Sequence, residues 1–549
     1  MSRMILRELS RYKLGTWADV IYRNALLYAN HEAFVYGKAR VTFSEFNTRV
    51  NKLIHALYGV GLRKGDVLGI LSWNCLGYAE IYGAAMKGGF IASPFNPRLK
   101  EGELNHLINY SEARVLFVGP ELVEIANSLR SHLPNIRNFI SLETSAPGMI
   151  AYQDLLRANS GEEPNVEVGE DDPVCIIYTS GTTGTPRGCL YTQRQLIDDA
   201  QTLVIDMGLQ PRHRRVQITP LFHIAGNTHF RASLYAGGCN IILKFFDAAT
   251  TLRIIEKERA THMDCVPTHI VAMLNLPDLD KYDVSSLECL WFGGSPMPLE
   301  ILKRAMNTFG PIFAQGYGQS ESGPAISHLS KEDHDVLDRP EQEQKKLVSA
   351  GRPDIGVHVR VVDDEGNDVE PGEVGEIIVQ SKHIMAEYWH RPEETRETLV
   401  DGWLHTGDMG YYDEEGYIYI VDRKKDMIVS GGENIYAREV EEVLYKHPAV
   451  QEAAVIGAPD PYWVERVHAV VVTKKGASVT ADELIKFCKQ HIASYKAPKS
   501  VEFVDSLPKN PAGKILKREL RKKYRQEQDD KRRDVDTFDQ SGVISLTDA

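Results

Sequence analysis

The chain has 549 residues, 43% hydrophobic and 25% charged, with a formal net charge of −13. That length predicts roughly three to four domain-sized units, and the acidic balance excludes a nucleic-acid-coating surface while leaving room for a local basic cleft. No run of eighteen uncharged apolar residues occurs, and the N-terminal MSRMILRELSRYKLG mixes charges into its apolar positions. Neither a spanning helix nor a signal-peptide core is therefore expected, and the expected location is the cytoplasm. Seven dispersed cysteines (Cys75, Cys175, Cys189, Cys239, Cys265, Cys289 and Cys488) form no CxxC pair and no Cys/His cluster at metal spacing. They read as reduced core thiols.

From Val41 to Asn74 the pattern is helix then strand. Ser44 is the expected N-cap, with Phe46, Val50, Leu53, Ile54 and Leu57 at helical spacing. Gly59 and Gly61 stop the helix, and VLGIL (67–71) reads as a buried strand. This alternation continues to about residue 310 and predicts a layered α/β architecture. After about residue 350 the stretch VHVRVVDDEGNDVEPGEVGEIIVQS alternates apolar and polar residues around turns, predicting a small β-rich unit. Beyond DRKKDMIVSGGEN lies a small α+β segment: helix 436–446, strands AAVIGA and VHAVVV, then a helix opened by Thr480 with Glu483 at capping-box spacing. The expected domains are 1–422, a mobile 423–525, and a polar tail 526–549.

The loop YTSGTTGTPRG (178–188) follows the apolar run VCIIY. Converging backbone N–H groups, hydroxyls and little bulk suit phosphate oxygens, and by composition a solvated turn fits equally well. It is not a Walker A loop, because Arg187 stands where GK[ST] would fall. GGSPM (293–297) lacks the last glycine of a GxSxG elbow, and GYGQSE (316–321) lacks that of a dinucleotide fingerprint.

Taken with TPLFHIAG (219–226), FGGSPMP (292–298), QGYGQSE (315–321), WLHTGDMGYYDEEGYIYIVDRKKDMIVSGGEN (403–434) and LPKNPAGKILKREL (507–520), the loop resembles the phosphate-binding segment of the adenylate-forming superfamily. That superfamily comprises acyl-CoA synthetases, amino-acid-activating modules of peptide synthetases, and luciferases. The motifs stand in the family's order, and the resemblance spans residues 15–520. It implies two half-reactions: MgATP and a carboxylate give an acyl-adenylate and pyrophosphate, then a nucleophile, usually the thiol of CoA, displaces AMP. The protein's task is positioning and charge stabilisation around an in-line attack on the α-phosphorus.

The resemblance also implies roles. Thr179, Ser180, Gly181, Thr182, Thr183 and Gly184 hold the β- and γ-phosphates, with Arg187 standing where relatives carry Lys. Tyr317 stacks on adenine, flanked by Gly294, Ser295 and Pro296, with Gln315 and Gly316 in the same nucleotide-binding set. Ser320 bonds the α-phosphate and Glu321 ligates Mg²⁺. Asp408 accepts the ribose hydroxyls, assisted by Arg423. Lys514 is the catalytic lysine bridging carboxylate and α-phosphate. Lys425 is the hinge, and Ser430, Gly431, Gly432 and Glu433 line the pantetheine tunnel. Phe222, His223, Thr268, Gly293 and Gly318 form the acyl pocket, with His223 closing it near the carboxylate. PLFHIAGN has no Asp to pair a substrate ammonium, which argues against an α-amino acid. The apolar lining fits a medium-chain, aromatic or alicyclic acid, with Trp291 shortening the pocket if its side chain points inward. Val464 stands where relatives often have Gly after the Trp, here Trp463. The expected partners are the acid, ATP and CoA, with no nucleic acid, in a monomer or homodimer. A non-CoA acceptor and a non-catalytic nucleotide binder are the alternative readings.

Overall fold

The computed structural model describes residues 8–179, 186–295, 297–424, 426–430, 433–460, 463–509 and 515–524. The chain divides into two compact units. One comprises Met1–Arg360, Ile378–Thr406 and Asp413–Ile418; the other comprises Val361–Ile377, Gly407–Tyr412 and Tyr419–Ala549.

In the first unit, repeated helix–strand alternation builds two large sheets. One runs Arg352–Pro353, Gly323–Leu329, Phe313–Gln319, Cys289–Gly293, His262–Cys265, Arg214–Gln217, Cys239–Ile242, Glu32–Tyr36, Ala39–Thr42. Its central strands are parallel and its edges antiparallel. The other runs Glu387–Tyr388, Gly188–Thr192, Pro173–Tyr178, Ile91–Phe95, Val67–Leu71, Val115–Val118, Asn138–Ser141, Ile150–Ala151. VLGIL forms the strand Val67–Leu71 and is buried throughout, as its unbroken apolar run requires when both faces are covered.

The helices Leu76–Gly88 and Gln193–Asp206 touch strands of both sheets and so form a layer between them. Burial on all sides explains why Leu76–Gly88 lacks a polar face. The charges it does carry are paired: Glu80 with Arg49 at 2.5 Å and Lys87 with Glu163 at 2.5 Å. Desolvation nevertheless pulls Lys87 down to about 8.

One expected start is corrected. The helix Phe43–Gly59 is capped by Thr42, not Ser44. Thr42 Oγ1 accepts from Glu45 N at 3.2 Å while Glu45 Oε2 accepts from Thr42 N at 2.8 Å. Ser44 has Asn47 three residues on and cannot close that box.

The β-rich stretch forms a five-stranded sheet of Val357–Val362, Gly375–Ser381, Trp403–Tyr412, Leu399–Val400 and Ile418–Arg423, and the division between units passes through its strands. The second unit also has a sheet of Glu433–Ile435, Ile428–Ser430, Val464–Thr473, Val450–Asp460 and Ser500–Phe503. The helices Ala437–Tyr445 and Ala481–His491 cover one face through Val440, Leu444, Leu484 and Cys488. Thr480 and Glu483 make the expected capping box. All seven cysteines are free and buried. Among the described residues no helix is long and apolar enough to cross a membrane.

Candidate active site

The glycine-rich loop springs from an antiparallel pair, Pro173–Tyr178 with Gly188–Thr192. Thr179 N donates to Arg187 O at 2.8 Å and closes its neck. The stem is stiff: Tyr178 stacks on Phe95 at 5.9 Å, and its hydroxyl lies 3.1 Å from Ser93 Oγ. A Cβ at Gly188 would stand 2.6 Å from Ile176 Cγ2, so only glycine fits there. Ser180, Gly181, Thr182, Thr183 and Gly184 lie outside the described residues.

Arg187 turns away from the neck toward a later segment. Its Nε lies 2.5 Å from Glu394 Oε2, and its guanidinium sits 5.2 Å from the ring centroid of Tyr388. The Tyr388 hydroxyl donates to Glu321 Oε1 at 2.8 Å. One aromatic ring thus connects the cation that ends the loop to the carboxylate expected to hold Mg²⁺. A carboxylate with one oxygen already oriented is the hard donor such an ion takes. Glu321 is held further by its carbonyl, which accepts from Met385 N at 2.9 Å. The neighbouring Ser320 carbonyl accepts from the Tyr191 hydroxyl at 2.5 Å. The sequence reading missed Tyr388, Glu394 and Tyr191. Their partners lie far away along the chain, and no local spacing marks them.

The residues expected around the adenine lie on or just after two paired strands, Cys289–Gly293 and Phe313–Gln319. Gly293 lies opposite Gly316, and Trp291 opposite Ala314. A Cβ on Gly293 would meet Gly316 O at 2.6 Å, and one on Gly316 would meet the Trp291 indole at 2.6 Å. Gly294 then turns with φ +78°, a left-handed conformation that glycine adopts without strain. Gln315 Nε2 donates to Ser349 O at 3.3 Å. Tyr317 is buried, Ser295 is partly buried, and a bulge lies between Tyr317 and Gln319, at Gly318. Pro296 is outside the described residues. The Trp291 side chain is buried behind Gly316 among Leu203, Met207, Ala232 and Ala314, with its ring 5.9 Å from that of His229.

His223 opens the helix Ile224–Ala236 at its N-cap. Its ring lies 4.6 Å from that of Phe222, which meets Trp73 at 6.4 Å. His223 Nε2 is buried with no hydrogen-bond partner. Burial, with Arg98 adding like charge, pushes His223 down to about 4, so its imidazole is neutral at physiological pH. His269, in Pro267–Leu274, stacks on Phe246 at 4.0 Å and is pushed down to about 4, mainly by burial. Its neighbour Thr268 is exposed.

In the second unit Asp408 and Arg423 pair at 3.2 Å, with Asp408 buried. Asp426 N donates to Arg423 O at 2.7 Å; Lys425 is outside the described residues. Ser430 pairs with Glu433 as a hairpin; Gly431, Gly432 and the side chains of Glu433 and Val464 are not described. Lys514 likewise lies outside the described residues.

Residues 21–389 match the family of AMP-binding enzymes, and residues 439–514 match the AMP-binding enzyme C-terminal domain. A feruloyl-CoA synthase of an Amycolatopsis species is 38% identical over 512 residues, covering 93% of this chain and 99% of its own length. A medium/long-chain-fatty-acid–CoA ligase of Mycobacterium tuberculosis is 36% identical over 511 residues, covering 90% and 88%. Among solved structures, an anthranilate CoA ligase in complex with anthranoyl-AMP matches with a TM-score of 0.85 at 28% identity, covering 93% of this chain and 97% of that one. The chain therefore belongs to the AMP-binding enzyme family, as an AMP-forming acid–thiol ligase that uses ATP, Mg²⁺ and CoA.

Proposed function

We propose that this ligase activates a compact, uncharged carboxylic acid, aromatic, alicyclic or medium-chain, and transfers it to CoA. The observation that carries this reading is the arrangement of Trp291, Gly293 and Gly316. Trp291 and Gly293 project from the same face of one strand, and Gly316 stands opposite Gly293 on the next. The indole occupies the space over Gly316, where a Cβ would stand 2.6 Å from it, so a bulky ring rather than an open channel backs these strands and limits the length of acid they admit. Relatives named for feruloyl-CoA, medium- or long-chain fatty acids and anthranilate include ring and medium-chain acids.

In this reading the loop residues Thr179 to Gly184 hold the departing phosphates. Glu321 supplies the hard carboxylate for Mg²⁺, which when bound neutralises phosphate charge, and Tyr388 orients that carboxylate. Tyr317 stacks on adenine, Ser320 bonds the α-phosphate, and Asp408 with Arg423 binds the ribose. His223 closes the acyl end as a neutral imidazole, and Lys514 neutralises charge developing between carboxylate and α-phosphate. Lys425 is the hinge, at a boundary near residue 422, and the protein works in the cytoplasm as a monomer or homodimer.

Pyrophosphate release is the test, with MgATP and acids from acetate through octanoate and octadecanoate to benzoate and cyclohexanecarboxylate, each with and without CoA. The expected result is CoA-dependent turnover, best with ring acids or octanoate. Trp291→Ala should shift the preference toward longer acids by roughly 10–200-fold per pocket-filling group. Preference of the wild-type enzyme for octadecanoate would sink the size argument. Turnover without CoA would point to another acceptor.

A further inference from the structure

A cluster behind the motif strands has no part in the chemistry above. Asp206 ends the helix Gln193–Asp206, His328 sits on the strand Gly323–Leu329, and Asp354 follows the strand Arg352–Pro353. His328 Nδ1 contacts Asp354 Oδ1 and lies 3.8 Å from Asp206 Oδ1. One donor atom from each residue lies within 4.8 Å of the others.

The cluster is short of positive charge. The Asp354 side chain is fully buried and that of Asp206 is 4% exposed. The second oxygen of each, Oδ2, is buried with no hydrogen-bond partner. Two buried carboxylates therefore face the His328 imidazole, with His383 and Asp199 acting on Asp354 in opposite directions, and the C-terminus of a fourteen-residue helix adds further negative potential beside Asp206. The buried guanidinium of Arg231 does not make up the difference, because it is paired with Asp199 at 2.7 Å. Buried carboxylates left unpaired are costly, and proteins neutralise them with a partner, a proton or a metal ion.

We propose that Asp206, His328 and Asp354 bind a divalent cation, with Zn²⁺ the best match. One imidazole nitrogen and two carboxylates form a donor set that Zn²⁺ takes at about 2.0–2.2 Å, and two donors on a tetrahedral ion stand about 3.4 Å apart. The observed 3.8 Å spacing is within a small side-chain rotation of that geometry. Binding at Nδ1 displaces the proton shared with Asp354, so uptake releases a proton. The Trp291 ring stacks against the His328 ring at 5.9 Å and 29°, which fixes the imidazole plane. His328 also lies opposite Gly316 across the strand pair. The ion would thus tie a helix end to the hairpin that carries Gln315 to Glu321.

The test uses the full chain, stripped with chelator and dialysed, without nucleotide. The expected result is one tightly held Zn²⁺ per chain by metal analysis, a higher thermal midpoint with Zn²⁺ than with EDTA, and visible absorption from His/carboxylate-bound Co²⁺. Asp354→Asn, nearly isosteric, should weaken uptake at least tenfold, and His328→Gln serves if that variant does not fold. Glu321→Gln should leave uptake unchanged, which separates this site from the Mg²⁺ position. Absence of stoichiometric uptake, or uptake that survives both Asp354→Asn and His328→Gln, overturns the proposal. The first result would mean that a proton alone neutralises the cluster.

Discussion

Tyr388 reaches Glu321 from 67 residues away and carries Arg187 on its ring face. Hydrogen bonds to charged groups contribute about 1.5–3 kcal/mol. Tyr388→Phe should therefore raise the Mg²⁺ concentration needed for half-maximal pyrophosphate release by about tenfold or more. An unchanged Mg²⁺ dependence would remove Tyr388 from the site. Gly316 carries a different constraint, because a Cβ there would stand 2.6 Å from the Trp291 indole. Overpacking of this kind costs about 1–3 kcal/mol, so Gly316→Ala should lower the midpoint of chemical denaturation, and adding Trp291→Leu should restore most of the loss. If the double variant is no more stable than the single, the clash is not the cause. At this scale the sequence named Glu321, Arg187 and Gly316 because motif residues sit close together in the chain. It could not name Tyr388 or Glu394, whose only claim on the site is three-dimensional. The direction of the Trp291 side chain also stayed open until the packing behind Gly316 was known.

Elements were legible where one short pattern decides them. VLGIL became a buried strand because five apolar residues between polar turns have few other options. The Thr480–Glu483 box opens the helix Ala481–His491 as its spacing predicts. Replacing an N-cap Thr by Ala costs about 1 kcal/mol. Thr480→Ala should lower the thermal midpoint of the second unit's transition while leaving adenylation in the first half-reaction intact. No shift in that transition would mean the cap is redundant. Ser44 reads as well as Thr42 as the helix start because both residues are good caps, and only the glutamate three positions after Thr42 discriminates between them. Strand order was not legible at all. Parallel neighbours such as Arg214–Gln217 and His262–Cys265 are joined through crossovers, and nothing local encodes which strand they meet.

For the molecule as a whole, buried neutral histidines couple folding to pH. His334 is fully buried and desolvation pushes it down to about 4, whereas the unfolded chain takes up that proton near 6.5. Between those values the unfolded state binds more protons, so this residue's contribution is complete above about pH 6.5 and is lost as pH falls toward 4. Other groups have opposite sign, Asp206 among them, raised to about 7 mainly by burial, so the clean observable is a difference. The stability of His334→Gln relative to the parent should rise by up to about 3 kcal/mol as pH falls from 7 to 4. A pH-independent difference would show that His334 does not titrate on unfolding. In the proposed mechanism this chain makes an acyl-adenylate with one lysine, Lys514, reserved for that step. The most direct measurement is acid-dependent exchange of labelled pyrophosphate into ATP, run beside thioester formation from preformed acyl-adenylate and CoA, for the parent and Lys514→Ala. The expected result is exchange only when a carboxylic acid is present, a loss of about 10²–10³ in Lys514→Ala, and near-parental thioester formation from the adenylate. Exchange without acid, or equal loss of both half-reactions, would contradict it.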